Sequence, residues 1–134
     1  EAVCSGAIFS DYQRVRVESA CSRVGLISLA YLWRRQQRPL LAEMIQSGQH
    51  AILVKVATMG LGVEHLGQSL DRIQGHLEYL EETIGSHVCG EGGEYETLVL
   101  DSPIFRKRLV LDQLEVTTYP CFPTLFLFCY SSPN

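Results

Sequence analysis

Leu66, Leu70, Ile73, Leu77, Leu80 and Ile84 recur at spacings of four, three, four, three and four. That is the helical period, and it lines the six side chains along one stripe. An apolar stripe must be buried against a second layer, so this segment demands a partner. The spacing predicts a helix over 66–84, with Gly85 as its C-terminal stop. Over so few turns the heptad-like spacing fits core packing rather than a coiled coil.

Three apolar runs supply candidates for the second layer. Val3–Ser10 and Leu26–Trp33 read as buried strands, and Ala51–Ala57 as a third. Between the first two, Ser10-Asp11-Tyr12-Gln13 has the Ser-x-x-Gln form of a capping box. Val17, Ala20, Cys21 and Val24 follow at helical spacing, and Gly25 stands where a C-cap glycine belongs. Strand, helix and strand within about 30 residues predict a βαβ unit with parallel strands. A further helix starts near Pro39, buries Leu40, Leu41, Met44 and Ile45, and ends at Gly48. Past the long helix, Glu96–Asp101 and Arg106–Asp112 read as strands, with Ser102-Pro103 turning between them. A short strand is expected at Glu115–Thr118.

Charge and cysteine content narrow the functional classes. The net charge of −4 argues against a protein built to neutralise nucleic-acid phosphates. Residues 1–58 carry seven Lys/Arg against four Asp/Glu, and residues 59–134 four against eleven. The first part is therefore basic and the second acidic, as two faces of a site or as uneven solvated surface. No apolar stretch reaches the roughly 20 residues of a membrane helix. Cys4, Cys21, Cys89, Cys121 and Cys129 are odd in number and form no Cys-x-x-Cys pair, so reduced thiols in a cytoplasmic protein are expected. His87 and Cys89 alone do not make a zinc site, and no metal is expected.

The densest chemistry lies in Gly90-Glu91-Gly92-Gly93-Glu94-Tyr95-Glu96-Thr97. Three glycines allow tight turns and close approach of a ligand. Three carboxylates in six residues repel one another unless a cation or a hydrogen-bond donor sits among them. The pattern suits a cation, an ammonium group or a magnesium-bound nucleotide, and a carboxylate here could take a proton from an attacking amine. The plainer alternative is a solvated turn before a strand. The first helix start, with Asp11, Tyr12, Arg14 and Arg16, lies where parallel sheets bind ligands, or is a capped helix with exposed arginines. Lys55, inside an apolar strand, either snorkels at an edge or pairs with an acidic-loop carboxylate. Trp33 either stacks on a base or packs at a rim. Arg106, Lys107 and Arg108 read as a solvated strand face.

These residues carry a family resemblance. His87-Val88-Cys89-Gly90-Glu91-Gly92-Gly93-Glu94-Tyr95-Glu96-Thr97, followed by Leu100-Asp101-Ser102-Pro103-Ile104-Phe105, is similar to the signature of the diphthine–ammonia ligases. Ser10 to Glu18, Leu29 to Trp33, Lys55-Val56-Ala57 and Leu66-Gly67 resemble further segments of that family in the same order. The resemblance runs from about Ser5 to Val116.

The resemblance implies an α/β fold: the C-terminal part of a Rossmann-like (HUP-type) parallel-sheet domain over 1–34, then a small α+β domain over 35–118. Residues 119–134, which contain the apolar stretch Cys121–Tyr130, are expected as a divergent tail. It implies an ATP- and Mg²⁺-dependent ligase that adenylates the carboxylate of diphthine on elongation factor 2. Ammonia then displaces AMP. Carried over by position, Glu91, Glu94 and Glu96 are the catalytic candidates, with Glu91 or Glu94 orienting ammonia or the diphthine trimethylammonium group. Gly92, Gly93, Tyr95 and Thr97 fall on the substrate side, the N–H groups of Gly92 and Gly93 as oxyanion donors. Asp11, Tyr12 and Arg14 fall on the nucleotide side. The family's Ser-Gly-Gly-Lys-Asp-Ser phosphate loop does not occur in this sequence. The chain is therefore expected to begin downstream of it and, alone, not to bind ATP productively. The competing expectations are a non-catalytic form that binds a partner and a pyrophosphatase-loop enzyme acting on transfer RNA. The acidic second part counts against the last.

Overall fold

The computed structural model describes residues 1–118 and 123–133. The expected strand–helix–strand unit forms. Strands β1 (Ala2–Cys4) and β2 (Ile27–Leu29) pair in parallel, Val3 opposite Ser28, and α1 (Asp11–Val24) crosses between them. Ser10 caps α1 as expected, its side chain accepting the Gln13 N–H at 3.3 Å. Gly25 closes the helix in the left-handed conformation, φ +72°.

Both strands are shorter than the apolar runs. The first stops at Cys4 rather than Ser10, and the second at Leu29 rather than Trp33. Ala7 and Ile8 are apolar because a turn buries them, not because they pair with a neighbour. The turn after β2 ends on Arg34, at φ +58°, whose N–H donates to the Ile8 carbonyl at 2.8 Å. Burial without pairing looks the same in sequence as burial with it.

The residues after Arg34 hold the other elements. Helix α2 (Gln37–Gln46) buries Leu40 and Leu41, and Gly48 follows it at φ +80°. Strand β3 (His50–Val56) carries the consecutive buried residues Ala51, Ile52 and Leu53, which explains its unbroken apolar run. Helix α3 (Leu70–Ile84) buries Leu70, Ile73, Leu77 and Leu80 along the expected stripe and ends on Gly85. Leu66 is not in that helix. It follows the 3-10 turn Val63–His65 in extended conformation, half-buried against the core from a loop.

Among the described residues the larger sheet has four strands, with β3 lying between two later ones. Strand β4 (Tyr95–Asp101) runs antiparallel to β3. Strand β5 spans Lys107–Thr118 without a break, so the segment expected as a separate strand at Glu115–Thr118 is its continuation. It pairs with β6 (Pro123–Pro133) from Lys107↔Pro133 to Thr118↔Pro123. Of the tail expected at 119–134, residues 119–122 and 134 lie outside the described residues. Leu41, Leu53, Val56, Ile73, Leu77, Val88 and Tyr95 form the core beneath the helices. Arg38 ties α2 to α3, bonded to Glu81, to Glu82 at 3.0 Å and to the Glu78 carbonyl at 3.3 Å.

Candidate functional site

The acidic glycine loop leaves α3 at Gly85 and enters β4 at Tyr95. Two backbone turns shape it: Gly90 N–H donates to the His87 carbonyl at 2.9 Å, and Gly93 N–H to the Gly90 carbonyl at 3.0 Å. Gly90 sits at φ +71°, and a Cβ there would stand 3.0 Å from the Tyr95 carbonyl oxygen. Neither the conformation nor the space admits a side chain. Tyr95 anchors the end of the loop: it is buried, and its hydroxyl donates to the Val88 carbonyl at 2.5 Å. Burial pushes its ionisation up, so it remains a donor.

The three carboxylates occupy three different environments. Glu91 reaches back to the first part of the chain. Its Oε1 accepts the N–H groups of Ile8 at 2.5 Å and Ser10 at 3.3 Å, and its Oε2 accepts that of Phe9 at 2.7 Å. Burial works to raise its pKa. The three backbone donors, with His87, outweigh that and hold it below the usual carboxylate range. Glu94 folds over Gly92, and its Oε1 accepts the His87 N–H at 2.9 Å. Its Oε2 is buried without a hydrogen-bond partner among the described residues. Its backbone carbonyl accepts the N–H groups of Ala57 and Thr58 at 2.8 and 3.2 Å, which fixes the loop to the end of β3. Glu96 points outward and pairs with Lys55, Nζ to Oε1 at 2.7 Å. Of the two expectations for Lys55, pairing with an acidic-loop carboxylate holds. A bulge between Leu53 and Lys55 sets that residue opposite Glu96.

His87 enters the sequence reading only beside Cys89, too few ligands for a zinc site, and as the first residue of the resembling segment. Its Nδ1 accepts the Cys89 N–H at 3.2 Å, which places the ring proton on Nε2 in the neutral form. Nε2 is buried, has no hydrogen-bond partner among the described residues and lies 3.9 Å from Glu91 Oε2. Gln37 escaped the sequence reading. Its side-chain oxygen accepts the Val88 N–H at 2.8 Å, and its carbonyl accepts the Cys89 thiol at 3.3 Å. No local pattern marks either residue, because both act across long sequence separations or through a backbone turn.

The remaining candidates lie as follows. Gly93 spends its N–H on the Gly90 carbonyl, so it is not a ready oxyanion donor, while Gly92 is exposed beneath the Glu94 carboxylate. Thr97 is exposed on β4, opposite Leu53. Asp11, Tyr12 and Arg14 occupy the first turn of α1, immediately after the Ser10 amide held by Glu91. Arg14 pairs with Glu18 at 2.8 Å and lies 4.5 Å over the Trp33 ring, so Trp33 packs against arginine at a rim. Arg16 stacks on Tyr12 at 3.5 Å. Arg106, Lys107 and Arg108 are exposed, as expected.

A cleft of about 340 Å³ opens beside the loop, lined by Phe9, Gln36, Gln37, Arg38, Pro39 and Glu81. The Phe9 ring, on one wall of the cleft, meets His87 edge-on, centroids 6.4 Å apart. Cys4, Cys21 and Cys89 are free thiols, and the side chains of Cys121 and Cys129 lie outside the described ones. Among the described residues no group of three or more His, Cys, Asp or Glu is placed to hold a metal ion. No described helix is long and apolar enough to cross a membrane.

Comparison with known proteins adds a second line of argument. Residues 36–121 match the family described as the diphthamide synthase C-terminal domain. The chain is 55% identical over 120 residues to a Danio rerio protein named diphthine–ammonia ligase, covering 89% of this chain and 47% of that one. It is 51% identical to the Homo sapiens protein of that name, covering 89% and 45%. Against the Schizosaccharomyces pombe protein of that name it is 54% identical over 119 residues, covering 89% and 20%. The chain thus spans about half the length of the animal relatives and a fifth of the fission-yeast one.

Proposed function

Because the chain belongs to the diphthamide synthase C-terminal domain family, we propose that it acts in diphthine–ammonia ligation, with the loop 87–97 receiving the ammonia. The observation that carries this reading is the buried Oε2 of Glu94, an ionisable acceptor without a donor among the described residues. Leaving a carboxylate oxygen buried and unsatisfied is costly, and an arriving N–H group relieves that cost. Ammonia in neutral water is mostly ammonium, which has no lone pair to attack with. A carboxylate that accepts its proton leaves a neutral amine held in place. The new C–N bond then forms at the acyl carbon as the leaving group departs, and a further proton passes from nitrogen to a base. The other Glu94 oxygen, fixed by the His87 N–H, sets the direction in which the free one points.

The proposal extends to the acceptor and its activation. The acceptor is the diphthine carboxylate of elongation factor 2, activated by ATP with Mg²⁺ as an acyl-adenylate, in a cytoplasmic enzyme. The cleft lined by Phe9 and Gln37 is of a size to take a side chain, and Gln37 also bonds to Val88 of the loop. The amides that Glu91 engages are those of Ile8, Phe9 and Ser10, just ahead of α1. The share proposed for the described residues is the ammonia side of the reaction.

The test replaces the matching segment of the full-length Danio rerio relative with this chain. The chimera is supplied with diphthine-bearing elongation factor 2, magnesium ATP and ¹⁵N-ammonium. Incorporation of ¹⁵N at the modified histidine, read by mass spectrometry, is the expected result. Absence of label, with the relative itself active in parallel, rejects the reading.

A further inference from the structure

We propose that Glu91 is a positioning residue: it grips the turn Ile8–Ser10 and so holds the loop in the conformation that presents Glu94, without meeting ammonia itself. The inference rests on the ammonia-side reading of the loop given above. Glu91 and Glu94 are equivalent in sequence, and the geometry separates them. Both Glu91 oxygens are engaged by backbone N–H groups 81 to 83 residues away. One Glu94 oxygen has no partner among the described residues.

The placement of the anchors explains why a grip is needed there. The loop is tied near its start by Val88 N–H on Gln37 and at its end by the Glu94 carbonyl on Ala57 and Thr58. Between them lie Gly90, Gly92 and Gly93, which cannot stiffen the backbone. Glu91 is the contact that crosses from this glycine stretch to the first part of the chain. Its target is well matched. Ile8, Phe9 and Ser10 present three successive N–H groups just ahead of α1, whose N-terminal dipole favours an anion. Charge-assisted bonds of this kind are the stronger class. The His87 Nε2–H faces the same carboxylate at 3.9 Å.

The kinetic consequence distinguishes positioning from catalysis. Without the grip, the loop divides its time between placed and displaced conformations, and ammonia binds the placed one. Apparent affinity then falls by the fraction of competent loop and is recovered at saturation.

Two measurements test this. In the chain itself, Glu91→Ala is expected to speed hydrogen exchange at the amides of Ile8, Phe9 and Ser10 while Ile73 and Leu77 in α3 keep their protection. In the chimera, Glu91→Ala is expected to raise the ammonia KM by about tenfold and leave kcat within about threefold. Glu91→Gln, which keeps the size and one acceptor oxygen, is expected to fall between wild type and alanine. If Glu91→Ala also loses protection in α3, Glu91→Gln decides by the same readouts. Unchanged exchange at residues 8–10 overturns the proposal. So does a kcat loss that excess ammonia does not restore, since that marks a catalytic residue. A wild-type chimera that forms no amide sinks the ammonia-side reading instead, and the exchange measurement then judges the grip alone.

Discussion

The Glu91 carboxylate accepts three backbone N–H bonds, and each favours its ionised form. Its folded pKa lies below the ordinary 4.5, so its contribution to stability is complete above the unfolded value and is lost as pH falls through the folded one. The Glu91 side-chain carboxyl carbon, followed by NMR, is therefore expected to titrate below 4.5, with protection of amides 8–10 lost in the same step. A midpoint above 4.5 contradicts the geometry. Cys89 moves the other way: burial first, then Glu91 and Glu81, push its thiol up to about 11. At about pH 8 iodoacetamide should modify exposed Cys4 and spare Cys89, as peptide mapping would show. Rapid alkylation of Cys89 would mean that its surroundings are more open than described. Neither environment is written in the local sequence. Glu91, Glu94 and Glu96 form one acidic cluster there, and what distinguishes them is contact with Ile8 to Ser10, with His87 and with Lys55.

At the scale of elements, features decided by neighbours in the chain were legible and features decided by pairing were not. The Ser10 cap, the Gly25 and Gly85 stops and the stripe positions Leu70, Ile73, Leu77 and Leu80 depend on residues within a few positions and stand as expected, while Ile84 at the stripe's end is exposed. The ends of β1 and β2 depend on where partner backbone runs out, and the apolar residues Ala7 and Ile8 continued the first pattern past that point. Leu66 fits the helical period yet packs from a loop, because the core accepts an apolar side chain from any backbone. The glycines divide in the same way. Gly25 has open space where a Cβ would stand, so Gly25→Ala costs only the left-handed backbone, roughly 1–2 kcal/mol. Gly60 stands at φ +91° with a Cβ position 2.4 Å from Leu80 Cδ2, a buried side chain of α3. Gly60→Ala adds overpacking to backbone strain and should cost about 2–4 kcal/mol. Urea unfolding of both variants checks the order, and equal midpoints would refute it.

Across the whole molecule, a basic first part and an acidic second part meet at Arg38 with Glu81 and Glu82, at Lys55 with Glu96, and where Glu91 enters the turn at Ile8–Ser10. The charge asymmetry was visible in the sequence, and so was the family resemblance, to which the match over residues 36–121 corresponds. The Glu91 contact was not visible, since it links residues more than 80 positions apart through a side chain that reads as one of three. The account gives the two glutamates opposite duties, Glu91 holding the loop and Glu94 meeting ammonia. The most direct measurement of that division is the amidation rate of the chimera carrying Glu94→Gln, taken at saturating ammonia. Gln keeps the size and removes the proton acceptor, so the rate should fall by about 10²–10⁴-fold and excess ammonia should not restore it. Turnover equal to that of the unsubstituted chimera would remove Glu94 from the site and contradict the account.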